Sequence, residues 1–438
     1  MPRIGRWALL LALWIGVPAL VRAADAIPIN EDEAAVPPYQ LPDPLVFQSG
    51  RVVTNKSSWP WRRLELLDLF SDQVYGRTPA NLPRRNADVL SIERNALGGL
   101  ATRKLVRIPL TRKDPGPYLD LLEYLPNRTP GPVPLFVGYN FDGNHTVTPD
   151  PAVPLPRGWV PNRPKSGITD NRAQESSRGS AASAWPIEMI LERGYGFATL
   201  YYGDVEPDFD GGWRDGLRGA VARDGTNHVF QPGEWGAIGA WAWGLSRAVD
   251  YLKTDPGVDG RRIAAIGHSR LGKTALWAGA QDERIALVIA NESGEGGAAL
   301  ARRWFGETVE RINTSFPHWF CGNFKRYNTD VAALPVDQHE LIALCAPRPV
   351  YVGSAEEDRW ADPRGEFLSL VGADPVYVLY GLNGLGTAEM PSLNTSVGDT
   401  LGYHIRPGPH ALTAADWEHY LNFADRHLKA PQPPRPSR

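Results

Sequence analysis

The stretch that most constrains the fold is residues 261–281, RRIAAIGHSRLGKTALWAGAQ. Ile263–Ile266 is a short apolar run of the kind that forms a strand buried on both faces of a parallel sheet. Gly267 permits a sharp turn, and from Ser269 onward apolar and small residues recur at helical spacing. The stretch therefore predicts a buried strand that turns abruptly into a helix, with a serine at the turn.

A serine in this position is typical of a nucleophile elbow. The turn lifts the hydroxyl above the edge of the sheet, and the N-terminus of the helix supplies free N–H groups for a developing oxyanion. The usual pattern is G-x-S-x-G, whereas here Leu271 precedes Gly272 and gives G-x-S-x-x-G. An ordinary strand-to-helix turn with a capping serine fits the motif equally well, so the interpretation depends on residues elsewhere in the chain.

Residues 1–23 have the pattern of a cleaved export signal. Basic residues precede the apolar run Trp7–Leu20, and Val21 and Ala23 are small residues at the two positions that a signal peptidase reads. A membrane anchor is the alternative, but the run is short for a span of about 20 residues and contains Pro18. We expect cleavage after Ala23, a periplasmic or secreted mature protein, and no association with a membrane.

Charge and cysteine content exclude several classes of function. Residues 1–23 contain three of the 46 basic residues and none of the 49 acidic ones, so their removal leaves a net charge of −6. A mildly acidic protein lacks the electrostatic footprint of a nucleic-acid binder. Cys321 and Cys345 lack metal-ligand spacing, and they could either pair or remain buried free thiols. We expect no metal, no other cofactor and a monomeric protein.

The remaining sequence predicts one α/β domain, residues 59–438, after an extended segment, residues 24–58, that is rich in proline and acid. Trp59–Tyr75 predicts a helix whose apolar face is Leu64, Leu67, Phe70 and Val74. The first three predicted strands suit an antiparallel start, and the later ones alternate with helices, as in a mostly parallel sheet covered on both faces. The predicted strands are Ala87–Glu93, Arg103–Leu110, Leu119–Tyr124, Pro134–Tyr139, Gly196–Tyr202, Ile263–Ile266, Ala286–Ala290, Val350–Gly353, Val376–Leu379 and Tyr403–Ile405.

Two long irregular segments, Asp150–Ser183 and Gly203–Gly233, interrupt this pattern and predict loop insertions. The second contains four closely spaced acids, which raises the alternative of a calcium site. The spacing of the acids does not match a loop with defined calcium ligands, so a loop is the favoured interpretation. The four acids are Asp204, Glu206, Asp208 and Asp210.

A serine nucleophile needs a general base within hydrogen-bonding reach and a third group that orients the base. In α/β-hydrolase sheets these residues follow the order serine, acid, histidine. His410 follows the last predicted strand in a Pro/Gly loop and precedes a helix with a start like a capping box at Thr413. His404 lies in the strand itself, and His419 and His427 lie in the final helix, so these three predict structural or solvent-facing roles.

Two acids are candidates for the orienting group. Asp358 follows the predicted strand Val350–Gly353, and Glu292 follows Ala286–Ala290. Both lie at carboxyl ends of strands, where such sheets bind ligands. Asp358 is also compatible with a charged surface turn, whereas Glu292 is flanked by small residues, as in the wall of a pocket.

The chain carries Y-G-x-x-P at 75–79, N-F-x-G-N-H-T at 140–146, G-H-S-R-L-G-K at 267–273, N-E-S-G-E-G-G at 291–297, E-D-R-W-A-D-P at 357–363 and G-P-H at 408–410. Taken together, these motifs resemble the bacterial glucuronoyl esterases of carbohydrate esterase family 15. The resemblance extends from about Trp59 to the C-terminus, and His268 stands where the fungal members carry cysteine. It implies an α/β-hydrolase fold, with a mostly parallel central sheet, helices on both faces and long loop insertions.

The resemblance implies hydrolysis of the ester between a glucuronic or 4-O-methylglucuronic acid group of xylan and an alcohol such as a lignin alcohol. Ser269 would be the nucleophile and His410 the base, with Glu292, Asp358 or both as the orienting acid. Arg270 would stabilise the oxyanion, and Lys273 and Trp360 would contact the sugar. Glu307 and Ser315 fall in a region where the family has further sugar contacts.

Two other functions fit parts of the pattern. An acetylxylan esterase or other carbohydrate esterase on the same fold would share Ser269 and His410 without needing Lys273 and Arg270. A polysaccharide-binding protein that has lost its chemistry would need none of them, and the retention of serine, histidine and two acids disfavours it.

Overall fold

The structure is a computed structural model that describes residues 29–113 and 116–429. The predicted export signal and residues 24–28 of the predicted extended segment lie outside the described residues. The strands are β1 (Asp88–Ala96), β2 (Ala101–Pro109), β3 (Tyr118–Pro126), β4 (Val133–Asn140), β5 (Gly196–Tyr201), β6 (Val258–His268), β7 (Leu287–Asn291), β8 (Val350–Ala355) and β9 (Leu401–Arg406). The α-helices are α1 (Trp59–Gln73), α2 (Ile187–Glu192), α3 (Leu217–Val221), α4 (Ala237–Leu252), α5 (Arg270–Gln281), α6 (Val309–Ser315), α7 (Gln338–Ala343), α8 (Pro363–Leu379) and α9 (Ala414–Ala424).

The strands form one sheet in the order β1-β2-β3-β5-β4-β6-β7-β8-β9. β1, β2, β3 and β5 pair in antiparallel fashion, and from β5 to β9 every neighbouring pair is parallel. The predicted mostly parallel sheet with an antiparallel start is confirmed. Among the described residues, no helix is both long and apolar enough to cross a membrane.

The sheet is buried on both faces, because successive side chains of a strand point to opposite sides. In β4, Phe136 packs in one apolar cluster and Val137 in the other. In β6, Ile266 and Ala265 divide in the same way. The unbroken apolar runs in these strands therefore reflect burial on two sides, and the helices on both faces exclude water from the sheet.

Two local predictions were wrong. Val376–Leu379 is the last turn of α8 and not a strand, even though Pro375 lies inside the helix. Leu370, Ala373 and Tyr377 are fully buried at helical spacing, so tertiary packing outweighs the β-propensity of this run. The sequence pattern VYVL is too short to distinguish the two structures.

The second error concerns Leu64, one of the four residues predicted for the apolar face of α1; Phe70 and Val74 are buried as predicted, and Leu67 is partly buried. Leu64 is 56% exposed, and the buried positions are Trp59, Arg62, Leu66 and Phe70. Arg62 faces the interior because its guanidinium pairs with the buried carboxylate of Glu340 at 2.8 Å. Because the charged residue Arg62 occupies a buried position, the pattern of apolar residues alone placed the buried face of α1 too close to Leu64. Cys321 and Cys345 are both buried free thiols, which is the second of the two alternatives that the sequence left open.

Candidate active site

Ser269 lies at the turn between β6 and α5 and has a strained backbone. Its φ and ψ are 57° and −132°, and its N–H donates to the carbonyl oxygen of Asn291 at 2.9 Å. Two glycines make this turn possible. A Cβ on Gly267 would lie 1.9 Å from the oxygen of Leu271, and one on Gly272 would lie 2.9 Å from the Cβ of Ser293. The spacing G-x-S-x-x-G thus reflects the approach of the β7 loop to position 272.

His410 lies in the loop that follows β9, and two carboxylates contact its ring. The Nδ1 atom lies 2.5 Å from Oδ2 of Asp358 and 3.1 Å from Oε2 of Glu292. Burial alone would lower the pKa of His410, but the hydrogen bonds to Asp358 and Glu292 and their charges raise it to about 9. The two carboxylates therefore favour the imidazolium, which is the form that a general base adopts after it has taken a proton.

The two carboxylates have different surroundings. Glu292 follows β7 with a φ of 47°, is fully buried, and also accepts hydrogen bonds from Arg406 at 2.6 Å and from the N–H of Ala411 at 2.9 Å. Burial raises the pKa of Glu292 to about 7, against the opposing effect of His410 and Arg406. Asp358 makes the shorter contact with His410. Asp358 is thus the closer partner of the imidazole, while Glu292 also anchors the histidine loop.

Arg406 is a functional-site residue that the sequence analysis missed. Its guanidinium donates to Glu292 and Asp416, and also to the carbonyl oxygens of the loop around His410. The planar guanidinium of Arg406 therefore holds both the His410 loop and the carboxylate of Glu292 in place. The only signal in the sequence is a strand-terminal arginine before Pro407-Gly408-Pro409, which does not reveal its partners.

All seven predicted site residues line one pocket of about 330 Å³. They are Ser269, Arg270, Lys273, Glu292, Asp358, Trp360 and His410, and Glu307, Phe316 and Trp319 complete the polar and aromatic wall. Ser315, which the resemblance left unassigned, is exposed and lies outside this lining.

Lys273 is a buried cation in the pocket wall. Its Nζ donates to the carbonyl oxygen of Ser293 at 2.5 Å and lies 3.8 Å from Oε2 of Glu307. Burial lowers the pKa of Lys273, and the charges of Glu307 and Glu295 oppose this effect. A cation and a carboxylate side by side offer both donors and an acceptor to the hydroxyl groups of a bound molecule.

The site contains three potential metal ligands, since one ligand atom each from His268, Glu292 and His410 lies within 4.8 Å of the others. Each of these residues, however, already has a protein partner. The Nδ1 of His268 lies 2.6 Å from Oδ1 of Asn291, and Arg406 already supplies a positive charge to Glu292. The donor set fits an acid–base site better than a cation site, and the expected absence of a metal stays a prediction.

A serine–histidine contact outside the pocket joins the first insertion to the loop after β4. The Oγ of Ser177 lies 2.7 Å from Nε2 of His145, but both residues have no exposed surface. No substrate can reach this pair in the described structure. Of the other histidines, His404 is fully buried and lies 2.9 Å from Asp416, in agreement with its predicted structural role.

Comparisons with known proteins point to one family of carbohydrate esterases. A family model described as glucuronyl esterase of fungi matches residues 224–381. This range includes six of the seven predicted site residues, and only His410 lies beyond it. The carbohydrate esterase MZ0003 of an unknown prokaryotic organism is 51% identical over 400 residues, which are 91% of this chain and 92% of that protein. A 4-O-methyl-glucuronoyl methylesterase of Phanerochaete carnosa is 28% identical, over 81% of this chain and 74% of its own length.

Solved structures give the same result. The chain is similar to a glucuronoyl esterase from Solibacter usitatus, with a TM-score of 0.85 and 50% identity over 90% of this chain and all of the other. It is equally similar to a promiscuous esterase of carbohydrate esterase family 15 from a marine bacterial metagenome. That similarity has a TM-score of 0.86 and 51% identity, and it covers 92% of this chain and all of the other.

Proposed function

The chain belongs to the glucuronoyl esterases of carbohydrate esterase family 15, and on that premise we propose that its pocket hydrolyses esters of glucuronic or 4-O-methylglucuronic acid with alcohols. The natural substrate would be a side group of glucuronoxylan esterified to a lignin alcohol. The observation that carries the proposal is the meeting of Ser269, the His410–Asp358 pair and Lys273 in one pocket.

The proposed mechanism follows the roles of a serine hydrolase. The Ser269 hydroxyl attacks the uronoyl carbonyl carbon while His410 takes its proton, and the oxygen of that carbonyl becomes an oxyanion. His410 then returns the proton to the leaving alcohol. Water hydrolyses the resulting acyl-enzyme with His410 acting as the base again.

Arg270 is proposed to stabilise the oxyanion. Its backbone N–H is the first of α5, where free N–H groups and the positive end of the helix dipole are located. Its guanidinium also lines the pocket and carries a permanent charge. Lys273, Trp360 and Glu307 are proposed to contact the sugar ring.

The test of this function is a pair of substrates offered to the pure protein. We expect benzyl glucuronate to be hydrolysed with a higher kcat/KM than an acetylated sugar. A preference for acetate would favour an acetylxylan esterase, and absence of turnover on any ester would favour a polysaccharide-binding protein. Comparing esters with and without the 4-O-methyl group then determines which uronate is preferred.

Lys273→Gln should weaken sugar recognition more than chemistry. The variant removes the cation but keeps a donor, so KM for benzyl glucuronate should rise by about 10-fold or more, as expected for a lost charge-assisted hydrogen bond. Hydrolysis of 4-nitrophenyl acetate, which has no sugar, should change by less than about threefold. An equal loss on both substrates would mean that Lys273 acts on the reacting centre and not on the sugar.

We further propose that the protein is exported and acts as a monomer after cleavage following Ala23. The support for export is the sequence pattern of residues 1–23. N-terminal sequencing of the protein recovered from the periplasm or medium should begin at Ala24. An intact Met1 terminus on the mature protein would contradict the proposal.

A further inference from the structure

Three of the four acids of the second insertion have separate surroundings in the structure, and the fourth, Asp210, is exposed. Asp204 is half-buried, and loss of hydration raises its pKa well above the ordinary value. Glu206 forms a buried ion pair with Arg218, in which Nε and Oε2 are 2.7 Å apart. Asp208 is the one that reaches the wall of the catalytic pocket, through its contact with Arg270. The acids therefore do not form a common calcium site.

The carboxylate of Asp208 accepts hydrogen bonds from four side chains. Oδ2 accepts from Tyr202 Oη at 2.9 Å and from Nη1 of Arg270. Oδ1 accepts from Nε2 of His318 at 2.8 Å and from Nε1 of Trp319 at 2.7 Å. The donors come from the residue after β5, the start of α5 and the loop after α6, so one carboxylate with an almost fully buried side chain joins three separate segments, two of which contribute Arg270 and Trp319 to the pocket wall.

The same contact restrains Arg270. Its guanidinium carbon lies 4.7 Å from the ring centre of Trp319 and 5.4 Å from that of Phe316, and these two rings stack at 3.8 Å. The Nε atom of Arg270 is buried and has no hydrogen-bond partner among the described residues. A cation held by one carboxylate and two rings, with a quarter of its side chain still exposed, is suited to a negative charge that exists only during the reaction.

We propose that Asp208 is a positioning residue, which fixes the guanidinium of Arg270 in the orientation that stabilises the oxyanion. The inference rests on the proposed esterase function and extends it to a residue that does not contact the reacting atoms. A donor already oriented before the reaction requires no reorganisation at the transition state, so loosening Arg270 should affect kcat more than KM.

The protonation state of Asp208 supports this role. Burial would raise its pKa, but the hydrogen bond from His318, the charge of Arg270 and the hydrogen bond from Trp319 hold the pKa below its ordinary value. Asp208 is therefore an anion throughout the pH range in which an esterase of this kind acts, and its attraction for Arg270 does not vary with pH in that range.

A double-mutant cycle with Asp208→Asn and Arg270→Ala tests the inference on benzyl glucuronate. Asp208→Asn should lower kcat by about 10- to 100-fold, somewhat less than removal of an oxyanion donor, with KM changed by less than about threefold. In the Arg270→Ala background, the same substitution should cost less than about twofold, because the residue it positions is gone. A purely structural role would instead give the same loss in both backgrounds.

Glu206→Gln is the matched control. It removes the charge of an equally buried carboxylate two residues away, whose partner Arg218 is not part of the pocket lining. It should lower the melting temperature and leave kcat within about twofold of the wild type, since it removes a structural ion pair alone. A fall in kcat as large as that of Asp208→Asn would show that general loosening of the insertion explains both, and would overturn the inference.

The outcomes separate the inference from the proposed function. If the wild type does not hydrolyse glucuronate esters, the function fails. Suppose instead that the wild type is active. The positioning role is wrong if Asp208→Asn has the wild-type kcat, or if it lowers kcat by the same factor in the Arg270→Ala background as in the wild type. Should Asp208→Asn not fold, as judged by circular dichroism, the same cycle with Asp208→Ser decides in the same way.

Discussion

Ser269→Ala should lower kcat on benzyl glucuronate by about 10⁵-fold or more, because the loss of a serine nucleophile removes the covalent route entirely. The residual rate would come from the oxyanion donors and substrate binding alone. The alanine also relieves little strain, since position 269 keeps its positive φ. Steady-state release of benzyl alcohol, with folding checked by circular dichroism, measures the effect.

Ser177→Ala provides the control for this result. Ser177 is a serine with a close histidine partner, His145, but it is buried in the first insertion and does not line the pocket. Its substitution should leave kcat within about twofold of the wild type, although the protein loses a buried hydrogen bond worth about 1 kcal/mol of stability. If Ser269→Ala retained more than a hundredth of the wild-type rate, another group would have to be the nucleophile.

The central part of the fold was predictable because its signals are local. The strand-turn-helix around Ser269 follows from an apolar run, two glycines and helical spacing, all within about twenty residues. Because the spacing differs from G-x-S-x-G, the motif alone was weak evidence for a nucleophile elbow. The structure supplies the reason for the deviation: Leu271 is buried, and the β7 loop requires glycine at 272 instead.

Other features depend on contacts between distant parts of the chain, which a single sequence does not contain. Arg62 lies on the buried face of α1 because Glu340, far along the chain, supplies its counter-charge. Arg406 and Asp208 have no recognisable motif, since their roles come from the loops and side chains they join. The pattern around Val376 was ambiguous between helix and strand, and packing decided it.

The sequence also left open which acid orients His410, and the geometry now ranks the two. Asp358 contacts Nδ1 at 2.5 Å and Glu292 at 3.1 Å, while Glu292 has a second ion pair with Arg406. A carboxylate with its own arginine partner has less free negative charge to offer the imidazolium. Asp358 is therefore expected to be the main orienting group, with Glu292 supporting both His410 and its loop.

Asp358→Asn should accordingly lower kcat by about 10³- to 10⁴-fold, since an amide at this position can favour the wrong tautomer of the imidazole. Glu292→Gln should lower kcat by about 10-fold, because Asp358 still orients the imidazole of His410. Glu357→Gln, which removes an exposed charge next to Asp358, should leave kcat within about twofold and serves as the control. Equal costs for the two acid variants would mean that they share the role, and full activity in both would mean that the orienting group lies elsewhere.

The pH profile gives an independent test of the same assignment. The base must be neutral to accept the serine proton, so kcat/KM rises with pH through the pKa of free His410. The two carboxylates raise that pKa, against the effect of burial, to about 9. Removing the charge of Asp358 lowers the pKa, and the rising limb of the profile should move to lower pH. Glu292→Gln should move it in the same direction but by a smaller amount, because Arg406 already balances part of the charge that is lost.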